Sequence, residues 1–249
     1  MTIIQTPQDI NVPRVDFNQN NFDSLLKTKG RRIIWEKAII CPCREISTGS
    51  ALSTCQNCGS TGWVFINPKD IKILIHSLGI KNDFSNWSEE ARGTINCSSP
   101  NENDITTMDK LIVVDAISYF DESLKIHSQD DENFVFLSYE PKEIQFCALF
   151  ESDTLPLRRL ILGTDYTIFK NKLIVSNTYS ITDLKVSIRY SHSPVYHVLE
   201  MQRESMETFA NQNGGEVLLN MPFSFLAKRA HYLINYQNQS SNVLLNNSF

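Results

Sequence analysis

The chain has 249 residues, 41% of them hydrophobic and 20% charged, and 23 basic against 28 acidic side chains give a formal net charge of −5. That is the composition of a soluble globule long enough to bury a sizeable core, and its mild acidity argues against a dedicated nucleic-acid binder. No apolar run is long enough to cross a bilayer, and the opening "MTIIQTPQDINVPR" lacks the basic-then-apolar pattern of a secretory signal. The expected setting is a reducing cytosol, where clustered cysteines are metal ligands more often than disulfides.

Residues 1–20 are polar and punctuated by proline, and they read as an extended arm. "NFDSLLKTKG" predicts a short helix with Asn21 or Asp23 near its start and Gly30 at its end. The basic cluster "KTKGRR" (27–32) reads as the solvated end of an element. "RRIIWEKAII" (31–40) is rich in β-formers and predicts a strand running into a cysteine-rich stretch. Beyond Trp63, "WVFI", a turn at "NPKD" and the alternating "IKILIHSL" predict a return strand, so the cysteines fall at the tip of a long hairpin.

Residues 79–109 read as an irregular insertion of the kind that makes contacts, with Trp87 either buried or touching a neighbour. From Lys110 the β signal returns as "LIVVDAISYF", "NFVFLSYE", "EIQFCALFE", "KLIVSN" and "LKVSIRYSHSPVYHVLEM", spaced closely enough to predict a sandwich or barrel. Within it "DYTIFKNKLIV" predicts a hairpin turning at "KNK", and Asp130–Glu132 reads as another hairpin tip. "LEMQRESMETFANQNGG" reads as partly helical with Gly214 and Gly215 as a hinge, and "MPFSFLAKRAHYLINYQ" as helix or strand. The expected organisation is an arm and short helix (1–30), a hairpin carrying the cysteines (31–78), an irregular insertion (79–109), a β core (110–200) and a carboxy-terminal arm (201–249). The fold class is mainly β: a sandwich- or barrel-like core, a stabilised hairpin tip, a few short helices and extended terminal arms.

Four of the six cysteines, Cys41, Cys43, Cys55 and Cys58, form the pattern C-x-C-x11-C-x2-C. Zinc takes four thiolates at tetrahedral corners, and the C-x2-C half is a knuckle whose turn aims both sulfurs inward. Cys41 and Cys43 would point to opposite faces of a plain strand, so the reading requires a bend at Pro42. The preferred assignment is a structural zinc, since no histidine lies between the cysteines; reduced or disulfide-linked thiols are the alternatives. Metal binding worth about 10–16 kcal/mol in small zinc peptides offsets the cost of ordering so polar a loop. Cys97 reads as a loop thiol and Cys147 as a core residue.

The remaining candidates for chemistry are weaker. His192 and His197 would lie on opposite faces of one strand, and His231 beside Lys228 and Arg229 reads as a solvated face. Glu151 and Asp153 read as a strand end with no partner for paired-carboxylate work. No phosphate-binding glycine loop or nucleophile elbow is present, so no catalytic residue is assigned.

"WEKAIICPC" (35–43) followed by "CQNCGSTGW" (55–63) resembles the cysteine segment of virion proteins of tailed bacteriophages, which carry W-x-K-A, then C-P-C, then C-x-x-C-x-G-x-G. "VSIRYSHSPVYHVLEMQRES" (186–205) and "MPFSFLAKRAHYL" (221–233) are similar to late segments of the same proteins. After Cys58 the first glycine of the pattern is expected one residue later than Gly59, while Gly62 is in place. The resemblance implies a head-to-tail connector: a neck or tail-ring subunit, assembled in the host cytoplasm, in contact with copies of itself in a cyclic ring, the portal and other neck or tail proteins. Genome DNA would meet it only in passage, and no membrane span is expected. The alternatives are a virion-associated enzyme, an adhesion module with a purely structural zinc, and a nucleic-acid protein. The last is disfavoured because only Lys37 and Arg44 are cationic around the cysteines.

Overall fold

The computed structural model describes residues 18–45, 47–76, 93–152, 155–176, 184–203, 207–212 and 215–233. The arm up to residue 17, the part of the insertion that holds Trp87, Asp153, Gly214 and the tail from residue 234 lie outside the described residues. After α1 (Gln19–Lys29) come β1 (Arg31–Ile40), β2 (Trp63–His76), β3 (Thr94–Ser99) and β4 (Lys110–Val113). The middle of the chain adds β5 (Ser118–Lys125), β6 (His127–Gln129), β7 (Glu132–Phe136), β8 (Pro141–Phe150), β9 (Arg158–Arg159), β10 (Tyr166–Phe169), β11 (Lys172–Val175) and β12 (Lys185–His192). Last come β13 (Val195–Arg203), β14 (Glu207–Gln212), β15 (Gly215–Asn220) and β16 (Phe223–Arg229). The fold is mainly β, and none of its described helices is long and apolar enough to cross a membrane.

α1 begins one turn earlier than the sequence suggests. Asn18 is the cap, its side chain accepting the Asn21 N–H at 3.1 Å, and Gly30 closes the helix through its N–H to the Leu26 carbonyl. Lys27 and Lys29 occupy the last turn, where cations suit the helix dipole. Arg31 and Arg32 of the same basic cluster pair with Asp115 and Asp70.

Strands β1, β2, β3, β16, β13 and β4 close in that order into a barrel. Alternation along β1 turns Ile33 and Trp35 inward, where they meet Ile71 and Ile73 of β2, Leu111 of β4, Val198 of β13 and Phe225 of β16. Between the pairs Trp35–Lys69 and Lys37–Ile66 the register slips, so two residues of β2 oppose Glu36. The stretch "NPKD" is therefore a bulge in a continuous strand, with Asn67 at φ 53°, and a bulge tolerates the missing N–H of Pro68.

The described strands between β4 and β13 form a second unit. Sheets β10-β11-β7-β6 and β5-β12-β8-β9 face each other over one core that includes Val135, Leu149, Leu173, Val186, Ile188 and Tyr190. The hairpin at "KNK" is present, β10 pairing with β11 from Phe169–Lys172 outward, with Lys170 at φ 55°. Asp130 and Asp131, at φ 52° and 60°, make the tight turn between β6 and β7. A two-stranded ribbon, β14 with β15, stands apart between β13 and β16.

Strands pair across the boundaries expected near 78 and 200. β3 falls in the stretch read as irregular and β16 in the stretch read as an arm, yet they pair with each other and complete the barrel. In the stretch 199–215, read as partly helical, the described residues 199–203, 207–212 and 215 are strand; among the described residues beyond β13 the helical backbone is one turn at 230–233.

Candidate metal centre

The barrel hairpin carries the four cysteines as expected. β1 ends at Ile40, and the ladder continues one step, with the Cys41 N–H donating to the Gly62 carbonyl at 3.0 Å. Pro42 then bends the chain, and the Arg44 N–H closes a turn onto the Cys41 carbonyl at 3.0 Å, which brings Cys43 to the same side as Cys41. The second pair sits on a knuckle: Cys55 N–H donates to Leu52, Gly59 N–H to Cys55 and Thr61 N–H to Cys58. Gly62, at φ 77°, presents its N–H to the Cys58 sulfur at 3.3 Å; a side chain there would sit 3.2 Å from the Ala51 Cβ.

All four sulfurs lie within 4.8 Å of one another; Cys41 and Cys55 are 3.9 Å apart, and Cys43 and Cys58 are 3.5 Å apart. Neither distance is the roughly 2.05 Å of a disulfide. A tetrahedral ion with bonds of about 2.3 Å sets its ligands about 3.8 Å apart, so this set can hold a metal ion with little adjustment. Cys41, Cys55 and Cys58 are buried, Cys43 is half-buried, and Val64 packs beside them. Burial pushes the Cys58 thiol up to about 12 against the Gly62 N–H, and it raises Cys43 as well. Burial also raises Cys55, but hydrogen bonds from the backbone of Cys58 and Asn57 and from the Cys43 side chain outweigh it and bring that thiol down to about 7. Four protein ligands complete a tetrahedron, leaving no open coordination position for a substrate.

The loop does not project freely. A Cβ at Gly59 would lie 3.0 Å from the Asn171 amide nitrogen and 3.4 Å from Phe136, so the knuckle rests on the sandwich at its β10–β11 turn. Asn171 is itself fixed, exchanging backbone and side-chain bonds with Leu137.

The other residues singled out in the sequence fall elsewhere. His192 ends β12 and His197 lies in β13, so they belong to different strands, and both are buried. His231 is half-buried, not solvated: its Nδ1 shares a hydrogen bond of 2.5 Å with the Tyr139 hydroxyl. Cys97 lies in β3 within the barrel core, not in a loop, while Cys147 is a core residue as expected. Burial pushes both thiols up to about 12, which keeps them protonated and inert.

Two buried polar groupings carried no sequence signal. Asp109, fully buried, accepts from Trp35 Nε1 at 2.8 Å, from the Ala38 N–H at 2.9 Å, and from the Thr106 N–H and hydroxyl at 2.9 and 3.3 Å. It thereby pins β1 on both sides of Glu36, the residue that faces the β2 bulge, just before the cysteine loop. At the seam between the two units, Tyr190 donates to Glu122 at 2.6 Å, Ser138 donates to the same carboxylate, and the Tyr139 ring stacks on His192 at 3.8 Å. Burial raises the Glu122 carboxyl and lowers His192.

No protein-family model matches the chain, and no curated protein matches it in sequence.

Proposed function

We propose that the chain is a structural, non-catalytic subunit of a tailed-bacteriophage virion, part of an oligomeric ring in the neck or tail that joins portal and tail. The observation that carries this reading is the convergence of Cys41, Cys43, Cys55 and Cys58, the core of the phage-like segment, into one closed four-sulfur set. Other residues of that segment support it by their work in the fold. Trp35 fills the barrel core and bonds Asp109, and the Lys37 ammonium sits 5.3 Å from the Trp35 ring. The late matching segments supply β12, β13 and β16, which build both units.

The ion is zinc, held by the four thiolates as a structural group. Soft sulfur ligands in tetrahedral array favour it, and backbone N–H groups on the sulfurs disperse the thiolate charge. The metal turns a loop with little apolar content into a rigid element fixed to both the barrel and the sandwich. The ring contacts portal and other neck or tail proteins, with DNA only passing through. The test is to purify the protein alone and with portal-containing particles and to image both. Rings and added axial density are expected; a monomer that binds no particle, or that hydrolyses cell-wall material, would overturn the reading.

A further inference from the structure

The sandwich carries a partly apolar groove that its own strands leave open. β9 has two residues and pairs only with Ala148 and Leu149, and one further bond runs from the Leu160 N–H to the Cys147 carbonyl. Among the described residues the edge of β8 before Cys147 therefore has no strand partner on that side. Beside it lies a groove of about 370 Å³ lined by Ile144, Phe146, Arg159, Ile161, Leu162 and Tyr166. Ile161 is 62% exposed and Leu162 58%, values a buried contact would bring down.

The hairpin end offers exposed apolar side chains. Where β1 runs out beyond the barrel core, Ile40 on its outward face is exposed, and Leu52 in the cysteine loop is exposed as well. The charges are complementary. Glu45, exposed in the loop, is satisfied only by the hydroxyls of Ser47 and Thr48, and among the described residues it has no cation. Arg159, exposed in the groove, makes no ion pair among the described residues.

We infer that the four-cysteine loop of one copy docks in the β8–β9 groove of the next, with Ile40 and Leu52 against Ile161 and Leu162 and Glu45 against Arg159. Loop and groove are different patches of one chain, so the contact is heterologous and propagates until the subunit rotation closes it into a ring. This rests on the ring reading above and names the surfaces that build it. It also gives the metal a role in assembly, because the loop presents Leu52 and Glu45 in fixed array only while its four sulfurs are held.

The test uses the full, zinc-loaded chain and follows association by sedimentation velocity. E45R and R159E are each expected to weaken self-association about tenfold or more, and E45R/R159E to restore it, with zinc retained in all three. I161S, which leaves the charges alone, is expected to abolish association. Wild-type assemblies indifferent to these changes would assign the groove to another occupant and overturn the docking while leaving the ring itself standing. A wild-type chain that stays monomeric alone and on particles would overturn the ring reading and the docking together.

Discussion

Replacing Asp109 by asparagine should cost the barrel several kcal/mol although the side chain keeps its shape. The carboxylate receives three N–H groups and one hydroxyl in a site closed to water. An amide must present its NH2 where one oxygen was. At the Oδ2 position it would confront Trp35 Nε1 and the Thr106 N–H; at Oδ1 it confronts the Ala38 N–H and the Thr106 hydroxyl, which alone can rotate to accept. The second placement is cheaper. It leaves one orphaned buried amide at about 1–3 kcal/mol and weakens the remaining bonds from charged to neutral by about 0.5–1 kcal/mol each. The total is about 2–5 kcal/mol, a large part of the roughly 5–15 kcal/mol that holds a globular protein together. With a urea m-value of about 3 kcal/mol/M, the midpoint should fall by about 1–2 M. Trp35 reports the transition by fluorescence, and its indole N–H should lose its protection from exchange. Asp109→Ala, which strands all three N–H groups, should cost more. A midpoint shift below about 0.3 M for Asp109→Asn would refute the view that this carboxylate anchors the base of the metal hairpin.

Acid should destabilise the barrel through His197. Burial lowers its folded pKa from 6.5 to about 4, so between those values only the unfolded chain takes up the proton and stability falls as pH falls. The full effect is about 3 kcal/mol below pH 4, and urea midpoints of His197→Phe should decline less than wild type between pH 7 and 4.5; parallel declines would count against it. Tyr190→Phe removes the hydroxyl that supports Glu122 and leaves the Tyr139 N–H without its acceptor. A loss of about 2 kcal/mol and a further rise of the Glu122 titration by carbon-detected NMR are expected, and an unmoved titration would contradict the geometry. Gly62→Ala forces a side chain into positive φ and against Ala51. It should destabilise the loop by about 1–2 kcal/mol and weaken zinc about tenfold in competition with a chelator, whereas unchanged affinity would show that the Cys58–Gly62 bond is incidental.

The hairpin and its cysteines were legible because their signals are local. β-branched runs flank a C-P-C bend and a glycine-bearing knuckle, and each carries its own geometry. The hairpins at "KNK" and Asp130–Asp131 were legible for the same reason. What escaped depends on partners far away in the chain. β3, "TINCSS", has little β character of its own and is a strand because β2 and β16 flank it. β16 reads equally as helix until β13 and β3 claim its edges. Asp109 meets Trp35 across 74 positions and His231 meets Tyr139 across 92, separations at which a single sequence holds no pattern. The sandwich inserted between β4 and β13 was read as one continuous β core because strand spacing is alike in both units.

Elemental analysis of the purified chain, paired with native mass spectrometry, addresses the four-sulfur site most directly. On the proposed function one zinc per chain is expected, retained through gel filtration and lost in the double variant Cys55→Ser/Cys58→Ser together with the loop's order. A zinc-replete preparation that carries no metal, with Cys41, Cys43, Cys55 and Cys58 all reacting freely with a thiol reagent, would contradict it.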